Sequence, residues 1–213
     1  MLDEALSPLE VRILGCLLEK QHATPEYYPL TLNALTAACN QTTNREPVMA
    51  LEEAEVSAGL ESLRQKRLVW VVAAAGSRAT KYEQKLSEAL NLAVQEVAAL
   101  TVLLLRGPQT PGEIRSRSGR LYAFADLAEA EAALDSLAAA EPPLAVKLPR
   151  QPGTKESRYA HLLGGSVATE TPIHPAQPQG PSRVEQLQGE VADLREALAA
   201  LRAEFEAFKA QFG

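Results

Sequence analysis

The sequence predicts a mainly α protein with small β-hairpins, an α+β chain in which one structural unit occurs twice ahead of a helical tail. Residues 60–86 and 134–163 carry the same order: Leu-acid-Ser-Leu on a helical stretch, a short apolar run, a polar turn with Gly, and a second strand-like run. The 213 residues are 46% apolar, 23% charged and only 5% aromatic, which suits small helical units cored by Leu, Val and Ala. Beyond residue 181 apolar residues recur with alternating spacings of 3 and 4, the period of a coiled coil. A helix feeding a two-stranded hairpin is the second half of a winged helix. The reading is therefore two tandem winged-helix domains, 1–86 and 87–163, a Pro-rich linker at 164–181, and a C-terminal coiled-coil helix at 182–213.

The first helix starts on Ser7-Pro8-Leu9-Glu10. Ser7 can accept from the Glu10 amide, Pro8 sits where no donor is needed, Glu10 can reach back, and Leu6 can staple to Val11. Leu9, Ile13 and Leu17, widened by Leu14 and Leu18, form a broad apolar stripe running to about Lys20. Tyr27-Tyr28-Pro29 separates it from a second helix bearing Leu32, Leu35 and Cys39. A third helix carries Val56, Leu60 and Leu63, with Arg64, Lys66 and Arg67 complementing the dipole at its last turn. Strands are expected at 68–73 and 80–86 around a wing at Gly76-Ser77-Arg78.

In the second unit, Leu90, Val94, Val97 and Leu104 predict one long helix ending at Arg106-Gly107-Pro108. Thr110-Pro111-Gly112-Glu113 repeats the cap grammar and opens a short helix with Ile114, and Arg115 through Arg120 is expected to form the turn. Asp126 and Glu129 cap a third helix carrying Leu127, Leu134 and Leu137, followed by strands at 144–148 and 157–163 with a wing between them.

The strings Leu6-Ser7-Pro8-Leu9-Glu10-Val11-Arg12-Ile13-Leu14-Gly15, Leu17-Leu18-Glu19-Lys20, Thr24-Pro25 with Tyr28-Pro29-Leu30, and Asn40-Gln41 with Asn44-Arg45 and Pro47-Val48-Met49 resemble the YceH family of bacterial proteins. The resemblance spans residues 5–163, with Ala50 where the family usually has Ser. It implies a pair of winged-helix domains in a bacterial cytoplasm and no assigned activity.

Cys16 and Cys39 lie in apolar helical patterns without metal-ligand spacing, and His22, His161 and His174 stand apart from any nucleophile or acid motif. No catalytic or metal residue and no cofactor is expected, and the chain is read as non-enzymatic. No stretch reaches the ~18 apolar residues of a membrane span, and the acidic Met1-Leu2-Asp3-Glu4 is unlike a secretory leader, so a cytoplasmic location is expected.

The formal charge of −6 divides unevenly: the two winged units hold 9 basic against 11 acidic and 8 against 9 side chains, while residues 164–213 hold 4 against 7. Double-stranded DNA binding requires donors on the third helix or wing. The third helices instead carry Glu52, Glu53 and Glu55, and Asp126, Glu129, Glu131 and Asp135, which repel phosphate, with Glu129 and Glu131 expected to face solvent. The candidate phosphate contacts are Arg45, Arg78 and Lys81 in the first unit and Arg115, Arg117, Arg120, Arg150, Lys155 and Arg158 in the second, with Arg115, Arg117 and Arg120 the densest cluster. Two functions follow: a DNA-associated or transcription-regulatory factor, or a protein-interaction scaffold whose acidic helices meet a basic protein partner.

In the tail, Pro172, Pro175, Pro178 and Pro181 match the three-residue period of polyproline II, a semi-rigid spacer. Val184, Leu187, Val191, Leu194, Leu198, Leu201, Phe205 and Phe208 then form an unbroken heptad seam. Val at the first two a positions with Leu at d favours a parallel two-stranded coil, and Glu190 opposite Arg195 and Glu204 opposite Lys209 agree with it. A homodimer through this seam is expected. The alternative is an amphipathic helix folded back on its own domains.

Overall fold

Helix α1 (Pro8–Ala23) starts where the sequence places it: Ser7 Oγ accepts from the Glu10 amide at 3.2 Å and Glu10 Oε2 accepts from the Ser7 amide at 2.7 Å. In this computed structural model, which describes residues 4–72, 80–150 and 156–165, α1 is buried continuously from Glu10 to Leu18. A helix apolar on nearly every side must be covered on every side. It packs against α2 (Leu32–Cys39), α3 (Glu53–Gln65) and α5 (Val94–Arg106). Two glycines permit this closeness. A Cβ on Gly15 would lie 2.8 Å from Leu105 Cδ2, and one on Gly59 would lie 2.6 Å from Ile13 Cδ1.

The first half continues through strand β1 (Leu30–Thr31), α2 and α3 to strands β2 (Val69–Val72) and β3 (Lys81–Gln84). The antiparallel sheet has the order β1-β3-β2, with Val71 opposite Tyr82. After a single turn, α4 (Leu86–Ala89), Asn91 adopts a left-handed φ of 49° and α5 begins only at Val94. The single helix expected from Leu90 is thus two, and Leu90 does not belong to α5.

The second half runs through α5, α6 (Pro111–Arg117) and α7 (Leu127–Ala139) to β4 (Ala145–Lys147) and β5 (Tyr159–His161). Thr110 and Glu113 cap α6 reciprocally, and Asp126 Oδ1 accepts from the Glu129 amide at 2.8 Å. Arg115 to Arg117, expected in the turn, form the last turn of α6. Gln109 and Tyr159 exchange backbone hydrogen bonds of 3.0 and 2.8 Å, so a single residue stands where β1 stands in the first half. Both halves therefore follow one order: helix, edge pairing, two helices, antiparallel hairpin.

The halves share one compact unit, residues 1–169, and one apolar core. Besides the packing of α1 on α5, Leu6 N donates to Leu163 O at 2.7 Å and Glu46 N to Leu105 O at 2.8 Å. The wings around Arg78 and Lys155, most of the linker and the whole heptad seam lie outside the described residues. Among the described residues no helix is long and apolar enough to cross a membrane.

Candidate functional site

Arg12 and Arg45 are buried between α1 and the loop after α2. Arg45 donates to both Glu19 carboxylate oxygens at 3.1 and 2.7 Å, to Ala38 O at 3.1 Å, to Asn44 O at 2.9 Å and to Gln41 Oε1 at 2.8 Å. Such a guanidinium has no donor to spare for phosphate, so Arg45 is corrected from a candidate nucleic-acid contact to a structural residue. Burial alone would push the Glu19 carboxyl up. The hydrogen bonds and charge of Arg45, with Lys20, outweigh it and hold Glu19 below the usual carboxylate range. Arg12 donates to Cys39 O at 3.1 Å and Pro47 O at 2.6 Å, tying the same loop to α1. Asn40 brackets it from the other end, exchanging bonds of 2.7 and 2.8 Å with the Leu51 backbone. Cys16 and Cys39 are free and fully buried, and the hydrogen bond to Cys16, with burial, pushes the Cys39 thiol up.

The second half keeps its cations outside. Arg115 and Arg120 are exposed and make no ion pair or side-chain hydrogen bond among the described residues. Arg117 pairs with Glu113 at 3.4 Å and donates to Gln109; Arg158 reaches Glu113 at 3.1 Å and Pro108 O at 2.7 Å. Arg117 and Arg158 thus share one carboxylate. Arg150 is exposed, and Lys81 is partly exposed on β3.

The acids of α7 are not the free solvated face expected of them. Glu129 accepts from Tyr122 Oη at 2.6 Å and the Ala125 amide at 2.7 Å, Glu131 pairs with Lys147 at 3.2 Å, and Asp135 accepts from Tyr159 Oη at 2.6 Å. The exposed positions of α7 are Leu127, Ala128, Ala132, Asp135, Ser136 and Ala139, of which Asp135 alone is charged. On α3, Glu53, Glu55 and Glu61 are exposed and engaged in turn by Asn33 at 3.1 Å, the Glu52 amide at 2.8 Å and Arg64 at 2.6 Å, while Lys66, expected to serve the helix dipole, crosses instead to Glu10 at 2.7 Å. Beside α3 lie exposed Trp70, whose ring Lys85 caps at 4.6 Å, and Val71. A shallow groove lined by Ala54, Ser57, Ala58 and Tyr82 adjoins them.

Between the halves the C-terminal turns of α1, α5 and α6 converge on the loop 40–44, enclosing an open cleft of about 970 Å³. Lys20, Arg106, Arg117 and Arg120 line it. Arg106 donates to Asn44, whose left-handed φ of 61° belongs to the opposite wall. The sequence could not show that the two interhelical turns face one another.

Comparison with known proteins agrees with the resemblance read from residues 6–49. Residues 6–154 match the family described as "Protein of unknown function, DUF480". The chain is 53% identical over 191 residues to a UPF0502 protein of Opitutus terrae, covering 89% of this chain and 83% of that protein. It is 50% identical over 212 residues to a UPF0502 protein of Azoarcus sp. strain BH72, covering 97% and 94%, and 50% identical over 215 residues to one of Geobacter sulfurreducens, covering 97% and 98%.

Proposed function

The chain belongs to the DUF480/UPF0502 family of bacterial proteins, and from that premise we propose that it is a non-enzymatic, DNA-associated regulatory factor of the cytoplasm. In this reading each half is a winged helix, and two copies dimerise through the heptad seam at 184–208. The repeated order of helices and hairpin, with Gln109 standing in for an edge strand, supports the tandem assignment.

The observation that carries DNA association is the exposed, unneutralised pair Arg115 and Arg120 flanking Arg117, beside a third helix whose one exposed acid, Asp135, is engaged by Tyr159 Oη. Phosphate contact by Lys and Arg supplies most sequence-independent duplex affinity. Specific base readout is not expected from this cluster, because none of its arginines lies on α7.

A second reading rests on the first half. Exposed Trp70 and Val71 beside the acidic flank of α3 suit a protein partner with a basic, apolar-anchored face, since aromatic anchors carry interface energy and acidic rims set the partner's charge.

Affinity capture of the tagged full-length protein from its own cells, with and without nuclease, separates the two. DNA association predicts that partners disappear on nuclease treatment. Partners that survive it, with no DNA recovered, would move the function to the Trp70 face.

A further inference from the structure

We infer that the cleft between the 40–44 loop and α5–α6 binds a small ligand bearing a diphosphate group. Charge is the first argument. Lys20, Arg45, Arg106, Arg117 and Arg120 stand at or just behind its walls, against the two carboxylates Glu19 and Glu113. The ends of α1, α5 and α6 add helix-dipole charge of about −0.5 each. That accounts for some of the cations but leaves an excess of roughly one to two positive charges. The excess is felt locally, since burial and then repulsion from Arg117 and Arg45 push the Arg106 guanidinium down.

Preorganisation is the second argument. Arg106 is held by Asn44 and Arg117 by Gln109 and Glu113, so neither has to be ordered when an anion arrives. Arg120 has no ion pair or side-chain hydrogen bond among the described residues, and neither do the exposed Thr42 and Thr43 hydroxyls on the facing wall. Fixed cations facing free cations and hydroxyls are what a multiply charged oxyanion needs.

The lining also limits the ligand. Among the described residues it includes no aromatic ring on which a base could stack, so recognition by these residues falls on phosphate rather than nucleobase. A cleft of about 970 Å³ lies within the range of small-molecule sites, whereas a duplex backbone needs an exposed surface such as the one bearing Arg115. The inference does not depend on duplex binding.

The test is calorimetric titration of the full-length protein at low salt with inorganic pyrophosphate, and separately with dimethyl phosphate as a singly charged phosphodiester. Saturable pyrophosphate binding, weaker for dimethyl phosphate, is expected. Arg120→Gln with Lys20→Gln should lower pyrophosphate affinity at least about tenfold while the chain keeps a cooperative circular dichroism melt, the Lys20–Glu19 pair being the one ion pair given up among the described residues. Arg115→Gln, which removes the same kind of charge outside the cleft, should leave it within about twofold. Absence of pyrophosphate binding, equal binding of dimethyl phosphate, or an Arg115→Gln loss as large as that of the cleft variant would each overturn the inference. Duplex binding that persists alongside any of these results would leave the DNA reading standing.

Discussion

Arg45→Ala is expected to destabilise the protein by about 3–5 kcal/mol, the cost of leaving one member of a buried, hydrogen-bonded ion pair without its partner. The substitution strands the Glu19 carboxylate and removes the donors to Ala38 O, Asn44 O and Gln41. For a unit of this size, roughly 2–4 °C per kcal/mol implies a melting temperature lowered by roughly 6–20 °C. Glu19→Leu with Arg45→Leu should lose less than Arg45→Ala alone, because neither member of the pair is then left behind as an unpaired charge. A thermal melt of Arg45→Ala indistinguishable from wild type would return Arg45 to the pool of surface cations free to meet a ligand.

If two copies pair through the heptad seam as proposed, Leu194→Asp with Leu201→Asp should convert the protein from dimer to monomer. Each chain would bring two carboxylates into the seam, a desolvation cost that a coil of about four heptads cannot absorb. In the proposed parallel register Glu190 would face Arg195 and Glu204 would face Lys209, so the variant should fail by dissociating rather than by changing register. Sedimentation velocity reads the outcome. A wild-type protein already monomeric at tens of micromolar, on the order of an ordinary assay concentration, would place the seam of Val184 to Phe208 in another role.

What was legible in the sequence is what is decided locally. The Ser7–Glu10 and Thr110–Glu113 boxes and the Asp126 cap are interactions across three residues, and all three form where the residue types place them. Gly107 likewise ends α5 with a φ of 69°. The break at Asn91 was not legible, because Leu90, Val94 and Val97 keep helical period across it and no Pro or Gly marks it. The roles of Arg12 and Arg45 depend on partners 26 to 35 residues away in sequence, which periodicity cannot supply. Arg12 does carry one signal in hindsight: it sits between Val11 and Ile13 on a helix with apolar residues on nearly all sides, where a charge must find buried acceptors. Charge counting likewise gave the acids of α7 correctly but not their engagement with Tyr122, Lys147 and Tyr159. Reversing charge at Glu129 would therefore damage the start of α7 and cannot serve as a clean probe of a partner face.

In the proposed function the second half meets duplex phosphate through Arg115, Arg117 and Arg120. Fluorescence anisotropy of a labelled duplex, titrated with full-length protein from about 50 mM salt upward, tests it most directly, since low salt exaggerates electrostatic attraction. The predicted result is binding that weakens linearly on a log–log salt plot. Replacing all three arginines by Ala should reduce that slope by about one for each arginine–phosphate pair removed, uniformly across duplex sequences. No binding by the wild-type protein at about 50 mM salt would contradict the account.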